Sequence, residues 1–282
     1  MIDKRFMPAH HGCEKADKRR SGGAKSCQES PQIRTNWASM DKGGAVREMF
    51  GRIARRYDLV NSVMTAGVDA LWRRRAVGEL DLRPDARVLD LCCGTGALTR
   101  DCAARVPAGH VTGIDFAPEM LALARQHTQA ANVDYREGDV LALPFEAATF
   151  DAATMGFSLR NVVDIGACLR EIARVLKPGG TFVNLEVSKP ANALTRRAFY
   201  AYFYGIVPII GRLFGSDPAA YRYLPQSLVN YPESRELVQI FDANGFVRTR
   251  AIPLMGGVAA LHVGITSGVE ARTPQLQEAA LS

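Results

Sequence analysis

Three things are scarce in this 282-residue chain, and each scarcity excludes a class of answer. Uninterrupted apolar sequence is short. No stretch reaches the roughly 18 residues that a membrane-spanning helix needs, and the first forty residues lack the apolar core of a secretory signal. Cysteines are present but not patterned: of six, Cys13 and Cys27 lie near the start, Cys92 and Cys93 are adjacent, and Cys102 and Cys168 stand alone. That spacing spells neither a disulfide framework nor a zinc site, so no metal and a reducing, cytoplasmic setting are expected. Surplus charge is confined to one end. Of a formal charge of +6, residues 1–40 contribute +4 through eight Lys/Arg against four Asp/Glu, leaving +2 for the rest. A body so near neutrality argues against a nucleic-acid partner, while the basic end suits anionic lipid.

What is there is ample apolar residue, 47% of the chain, enough for one large α/β core. Residues 1–43 show no apolar period and are predicted to be a disordered basic tail, with Met40 an alternative start; the main domain is expected over 44–266 and a frayed tail over 267–282. From Val46 onward Met49, Phe50, Ile53 and Tyr57, then Leu71, Trp72 and Val77, recur at helical spacing and predict two or three cover helices. Strands are predicted at 87–91, 110–115, 133–137, 150–156 and 180–187, and helices at 97–106, 118–129 and 162–176. Such alternation implies a parallel sheet with helices on both faces. An apolar, aromatic helical segment spans 194–214, with a kink expected at Pro208. Residues 218–243 read as helical, and 246–253 with 258–265 as a closing strand pair.

The stretch Val88-Leu-Asp-Leu-Cys-Cys-Gly-Thr-Gly96 reads as a strand running into a glycine turn ahead of a helix, a place for a nucleotide-like ligand. Asp115 ends the second strand 21 residues after Gly94, where a carboxylate would accept from two ribose hydroxyls; Gly138-Asp139 follow the third strand and Gly156 the fourth. Dinucleotides and S-adenosylmethionine both fit this much. Three details favour the second. Thr99 stands where a third fingerprint glycine would be, Asp90 repels a diphosphate but suits an ammonium group, and Asp139 can bond an adenine amino group. Each carboxylate alone is equally a helix cap or turn former; all three in register with a glycine turn are much harder to explain that way.

The motifs Asp90-Leu-Cys-Cys-Gly-Thr-Gly96, Ile114-Asp115-Phe116, Gly138-Asp139 through Leu143-Pro144-Phe145 and Leu176-Lys-Pro-Gly-Gly180 resemble those of class I S-adenosylmethionine-dependent methyltransferases. A more specific set is Tyr57-Asp58-Leu-Val-Asn61, Leu71-Trp72-Arg73, Gly156-Phe-Ser-Leu-Arg160-Asn-Val162, Leu185-Glu-Val-Ser-Lys-Pro190 and Asp217-Pro-Ala-Ala-Tyr-Arg-Tyr-Leu224. With these the chain resembles the menaquinone and ubiquinone biosynthesis C-methyltransferases from about Val46 to Ile265. The resemblance implies a Rossmann-like, seven-stranded, mostly parallel sheet with an antiparallel last strand. It also implies a cofactor site lined by Thr95, Asp115, Asp139 with Val140, and Gly156, to which Asp90, Gly94, Gly96 and Phe116 are added from the motifs themselves. Two departures are Asp139, where many relatives carry Asn, and Ser158, where Gly is common.

The expected reaction is C-methylation of a polyprenylated hydroquinone, demethylmenaquinol ahead of a ubiquinone precursor because the Cys92-Cys93 turn resembles menaquinone-only relatives. The resemblance suggests that Arg160 stabilises the developing phenolate; a salt bridge to Asp164 at i+4 is the competing reading. Tyr57 and Asn61 are expected either to close over the ligand or to pack on a helix surface, and His262 is a minor candidate base. Residues 198–210 read as a buried cover helix that also lines a channel for a polyprenyl tail and lets the chain sit peripherally on the inner face of a membrane. A homodimer is left open. The competing functions are an NAD(P)-dependent oxidoreductase, a methyltransferase for another small molecule, and a non-catalytic scaffold.

Overall fold

The computed structural model describes residues 42–214, 217–229 and 231–267. Residues 1–41 and 268–282, on which the predicted disordered tail and frayed end fall, lie outside the described residues, as do the side chains of Tyr221 and Arg222 in the last motif.

Two cover helices come first: α1 (Lys42–Thr65) and α2 (Asp69–Gly78). Helix α1 starts two residues inside the stretch read as tail, because burial of Ala45, Val46 and Met49 holds its first turns against the body. It ends where Ala66 and Gly67 adopt left-handed φ of 51° and 76°, and the backbone turns into α2. The α/β unit then runs β1 (Arg87–Leu91), α3 (Ala97–Ala103), β2 (His110–Asp115), α4 (Pro118–His127), β3 (Val133–Glu137) and β4 (Phe150–Gly156). It continues with α5 (Ile165–Val175) and β5 (Leu176–Val187). Four more helices, α6 (Ala193–Ala201), α7 (Val207–Phe214), α8 (Pro218–Val229) and α9 (Ser234–Ala243), precede the closing strands β6 (Phe246–Leu254) and β7 (Ala259–Thr266).

The seven strands lie in the order β3-β2-β1-β4-β5-β7-β6. The neighbouring pairs from β3 to β5 are parallel, and β7 runs antiparallel to both β5 and β6. This is the expected Rossmann-like sheet. Strands covered on both faces should be almost uniformly apolar, and Leu89, Leu91, Ile114, Met155, Phe182, Val183 and Leu185 are all fully buried. Strand order reverses between β1 and β4, so the crevice outside their carboxyl ends is where such a sheet takes its ligand.

Several boundaries differ from the sequence reading. The helix read from 162 begins only at Ile165: a 3₁₀ turn at Leu159–Asn161 precedes the segment, Val162 and Asp164 are extended, and the Asp164 carboxylate caps the helix by accepting from the Ala167 N–H at 2.9 Å. The stretch 218–243 is two helices; Pro232 lies in the break between them, and a proline disfavours helical backbone in the residue before it. Strand β5 begins at Leu176 rather than Gly180, and the Lys177–Gly180 turn is an irregularity within its pairing to β4. At Pro208 the disturbance takes the form of a π-turn over Tyr202–Ile206. Proline has no N–H for the Tyr204 carbonyl four residues back, and the widened turn accommodates that loss.

Candidate functional site

The glycine turn after β1 carries three left-handed residues, Cys92, Gly94 and Gly96, with φ of 50°, 54° and 77°. A Cβ on Gly94 would project into open space, which leaves the backbone bare toward the crevice. A Cβ on Gly96 would instead collide with the Tyr135 hydroxyl and ring, so this glycine lines neither cavity and serves the packing behind the turn. Cys92, read from sequence as a small turn residue, holds a conformation that favours glycine and costs other residues about 1–3 kcal/mol.

Four carboxylates surround this turn. Asp90 is buried, and its Oδ2 accepts from the Thr99 hydroxyl at 2.5 Å, while Oδ1 has no hydrogen-bond partner. Burial pushes the Asp90 carboxyl up to about 7, against the pull of the Thr99 hydrogen bond. Thr99 thus does something a third glycine could not. Asp115 accepts from the Gly94 N–H and the Ala117 N–H, one oxygen each at 2.9 Å, which leaves a lone pair on each oxygen. Asp139 accepts from the Leu141 N–H at 2.9 Å through Oδ1, and its other oxygen is open. Asp58, given no role in the sequence reading, accepts from the Thr95 hydroxyl at 2.7 Å and ties α1 to the turn.

Two cavities meet here. The smaller, about 110 Å³, is lined by Asp115, Phe116, Asp139 and Val140; the larger, about 570 Å³, by Asp90, Thr95, Gly156, Tyr57, Asn61 and Arg160 together with the inner faces of α6 to α8. Phe50, Tyr57, Cys92, Gly94 and Asn161 border both, so the two form one crevice bent over the turn. Eight of the nine residues assigned from sequence to the cofactor, and all three assigned to the acceptor, border it. Beyond Gly156, Phe157 takes a left-handed φ of 57°, and its ring packs on Trp72 with centroids 6.4 Å apart.

Arg160 sits in the 3₁₀ turn after β4 with its side chain 6% exposed. Its Nη1 donates to the Phe157 carbonyl at 2.7 Å and pairs with Glu186, which is completely buried and also accepts from the Val187 N–H at 2.9 Å. Asp164, the i+4 partner of the competing reading, caps α5 instead. A 3₁₀ turn followed by extended backbone does not bring the two side chains onto one helical face. Among the described residues Arg160 Nε and Nη2 have no protein acceptor. Burial pushes the Glu186 carboxyl up, and the Arg160 guanidinium opposes it. Tyr57 is pushed up by burial, with Arg160 and an Asn61 hydrogen bond pulling the other way.

Sequence reasoning quoted Glu186 within a motif without assigning it a task. The available signal was an acid inside an otherwise apolar strand, which has to be paired when buried. His262 borders neither cavity; it lies across from Asn184 on β7, and burial pushes it down to about 4, so it is not the base. In the aromatic stretch, Phe199, Phe203 and Val207 face the larger cavity, while Leu194, Tyr204, Ile206, Ile209 and Leu213 are exposed on the outer side. Among the described residues no helix is long and apolar enough to cross a membrane.

The family model described as "ubiE/COQ5 methyltransferase family" matches residues 38–266. A protein of Deinococcus radiodurans named demethylmenaquinone methyltransferase is 45% identical over 226 residues, which is 79% of this chain and 93% of that one. Proteins of the same name from Staphylococcus aureus and Desulfitobacterium hafniense are 40% and 36% identical, covering 78% and 84% of this chain and 92% and 95% of theirs. Among solved structures, an S-adenosylmethionine-dependent methyltransferase from Aquifex aeolicus superposes with a TM-score of 0.55 at 18% identity, covering 74% of this chain and 97% of that one. Human N-acetylserotonin methyltransferase superposes at 0.53 and 19%, covering 84% and 60%. At such identities the structural likeness establishes the fold.

Proposed function

The chain belongs to the ubiE/COQ5 methyltransferase family, and from that premise we propose that it methylates the ring carbon of demethylmenaquinol to give menaquinol, with S-adenosylmethionine as methyl donor. The observation that carries this reading is the bent crevice: a small polar end built on backbone and carboxylates opens into a larger chamber walled by apolar helices, with Arg160 inside it. The residues fit the donor. The partnerless Asp90 Oδ1 suits an ammonium group, the spare lone pairs of Asp115 suit ribose hydroxyls, and the open Asp139 oxygen suits an adenine amino group between Phe116 and Val140.

When bound, S-adenosylmethionine supplies an electrophilic methyl together with its own leaving group. The chain has to make the acceptor carbon electron-rich and hold it in line. Arg160, fixed by Glu186 and the Phe157 carbonyl, offers Nε and Nη2 to a ring oxygen as its proton leaves for water, and so stabilises phenolate charge in a dry setting. From α1, Tyr57 closes the chamber at the border between its two ends, and Asn61 closes it on the side of the larger cavity. Holding reactants about 3–3.5 Å apart accounts for roughly 7–11 kcal/mol of barrier, whereas general-base catalysis adds about 10²–10⁴-fold. Positioning is therefore the larger contribution. The inner faces of α6 and α7 take the prenyl tail. Their outer face, with no Asp or Glu between Val187 and Ser216 but with the exposed Arg196, Arg197 and Arg212, rests on an anionic membrane surface.

Transfer of labelled methyl to chemically reduced demethylmenaquinone tests the reading, with a polyprenyl benzoquinol precursor of ubiquinone run in parallel. Label in the menaquinol alone is the expected result, label in both makes the enzyme serve two quinones, and label in neither with donor binding intact defeats the acceptor assignment. Flotation with anionic liposomes tests the membrane face: recovery wholly in the soluble fraction counts against it.

A further inference from the structure

Exposed residues in the lining mark where the crevice opens. Among the described residues those of the smaller, polar end are Asp139 and Val163, and those of the larger end are Ser62, Ala198 and Met255. The larger opening lies between three elements: Ser62 is near the end of α1, Ala198 is on α6, and Met255 begins the turn Met255–Gly257 that joins β6 to β7. Helix α6 is tied to both neighbours. The Tyr202 hydroxyl just beyond it donates to the Met64 carbonyl of α1, and a Cβ on Gly256 of the turn would stand 3.4 Å from the Thr195 side chain. Behind the opening the lining is uncharged, with Val187, Thr195, Phe199 and Val258. Met255 itself is 60% exposed and holds a left-handed φ of 44°, followed by Gly256 and Gly257 at 68° and 91°. A methionine is thus held out at the rim in a backbone conformation that favours glycine, the kind of strain that collects at ligand clamps. Its unbranched thioether side chain adapts to an irregular apolar ligand.

We infer that the gap between α6 and the β6–β7 turn is the portal through which an isoprenoid tail leaves the crevice, with Met255 as its rim and the residue that senses the tail. The inference rests on the acceptor reading above and adds to it a route and a specificity-determining residue. A cavity of about 570 Å³ is of the size that holds one drug-sized molecule. It has to take the quinol ring and the reacting end of the donor, so a polyprenyl tail extends beyond it. Leu194, Arg196 and Arg197, exposed at the start of α6, set this portal beside the face assigned to the membrane, where the rest of the tail stays in lipid. The polar opening at Asp139 and Val163 is left to the donor.

Methyl transfer by the full chain to two chemically reduced substrates in the same detergent, demethylmenaquinone with a polyprenyl tail and its single-prenyl form, tests this. Met255→Trp should raise KM for the polyprenyl substrate about tenfold or more. Turnover of the single-prenyl substrate should stay within about twofold of wild type, which also shows that the variant is folded. In Met255→Cys, alkylation of the introduced thiol by iodoacetamide, located by mass spectrometry, should slow severalfold with the polyprenyl substrate bound and not with the single-prenyl one. Equal effects of Met255→Trp on both substrates, no effect on either, or alkylation that the polyprenyl tail does not slow overturns the inference. Wild-type protein that methylates neither substrate defeats the acceptor reading itself, a separate failure.

Discussion

The two ends of the crevice are built by different means. Around Asp115 and Asp139 the geometry is set by backbone: strand ends, a left-handed turn, and N–H groups that hold the carboxylates at 2.9 Å. Around Arg160 it is set by side chains from distant parts of the chain, above all the pair with Glu186 on the neighbouring strand. The backbone-built end depends on local sequence and tolerates little change in its glycines. The side-chain-built end depends on long-range pairing and on cover helices, and this is the end that can change acceptor while the donor stays the same.

The sharpest way to break the comparison is Gly94→Val. The β-branched side chain meets a φ of 54° and fills the bare side of the turn, so donor binding is expected to vanish in titration while circular dichroism still shows a folded chain. Next in size is Glu186→Gln at the other end. It leaves the Arg160 charge buried without its partner and should cost about 3–5 kcal/mol in chemical denaturation, with donor affinity nearly unchanged.

A smaller effect sharpens the division. With its carboxyl near 7, Asp90 is mostly neutral at pH 6 and mostly ionised at pH 8, and only the ionised form holds an ammonium group. Donor affinity should therefore rise about tenfold between those values, and Asp90→Asn should flatten the profile. In the free protein the sign is opposite. A carboxyl raised from 3.8 to about 7 binds its proton more tightly when folded, so its contribution to stability is present at low pH and is lost as pH rises through about 7.

Legibility in the sequence followed the same division. The strands, the turn and the spacing of Asp115 and Asp139 were readable because each follows from neighbours in sequence. The pairing of Arg160 was not. Its true partner lies 26 residues away, and the nearer candidate, Asp164, is removed by a 3₁₀ turn that periodicity does not reveal. Cys92 was equally hidden, since nothing in a Cys-Cys-Gly run announces which residue is left-handed. Pro232 should have divided the segment read as helical over 218–243, a signal that was present and passed over.

The most direct measurement of the central claim is Arg160→Ala, with single-turnover methyl transfer to demethylmenaquinol followed alongside donor titration. The account predicts a fall in rate of about 10²–10³-fold, as for loss of one charge-stabilising donor, with donor affinity within about twofold of wild type. Full turnover by the variant would contradict the account, and so would a loss of rate explained entirely by weaker donor binding.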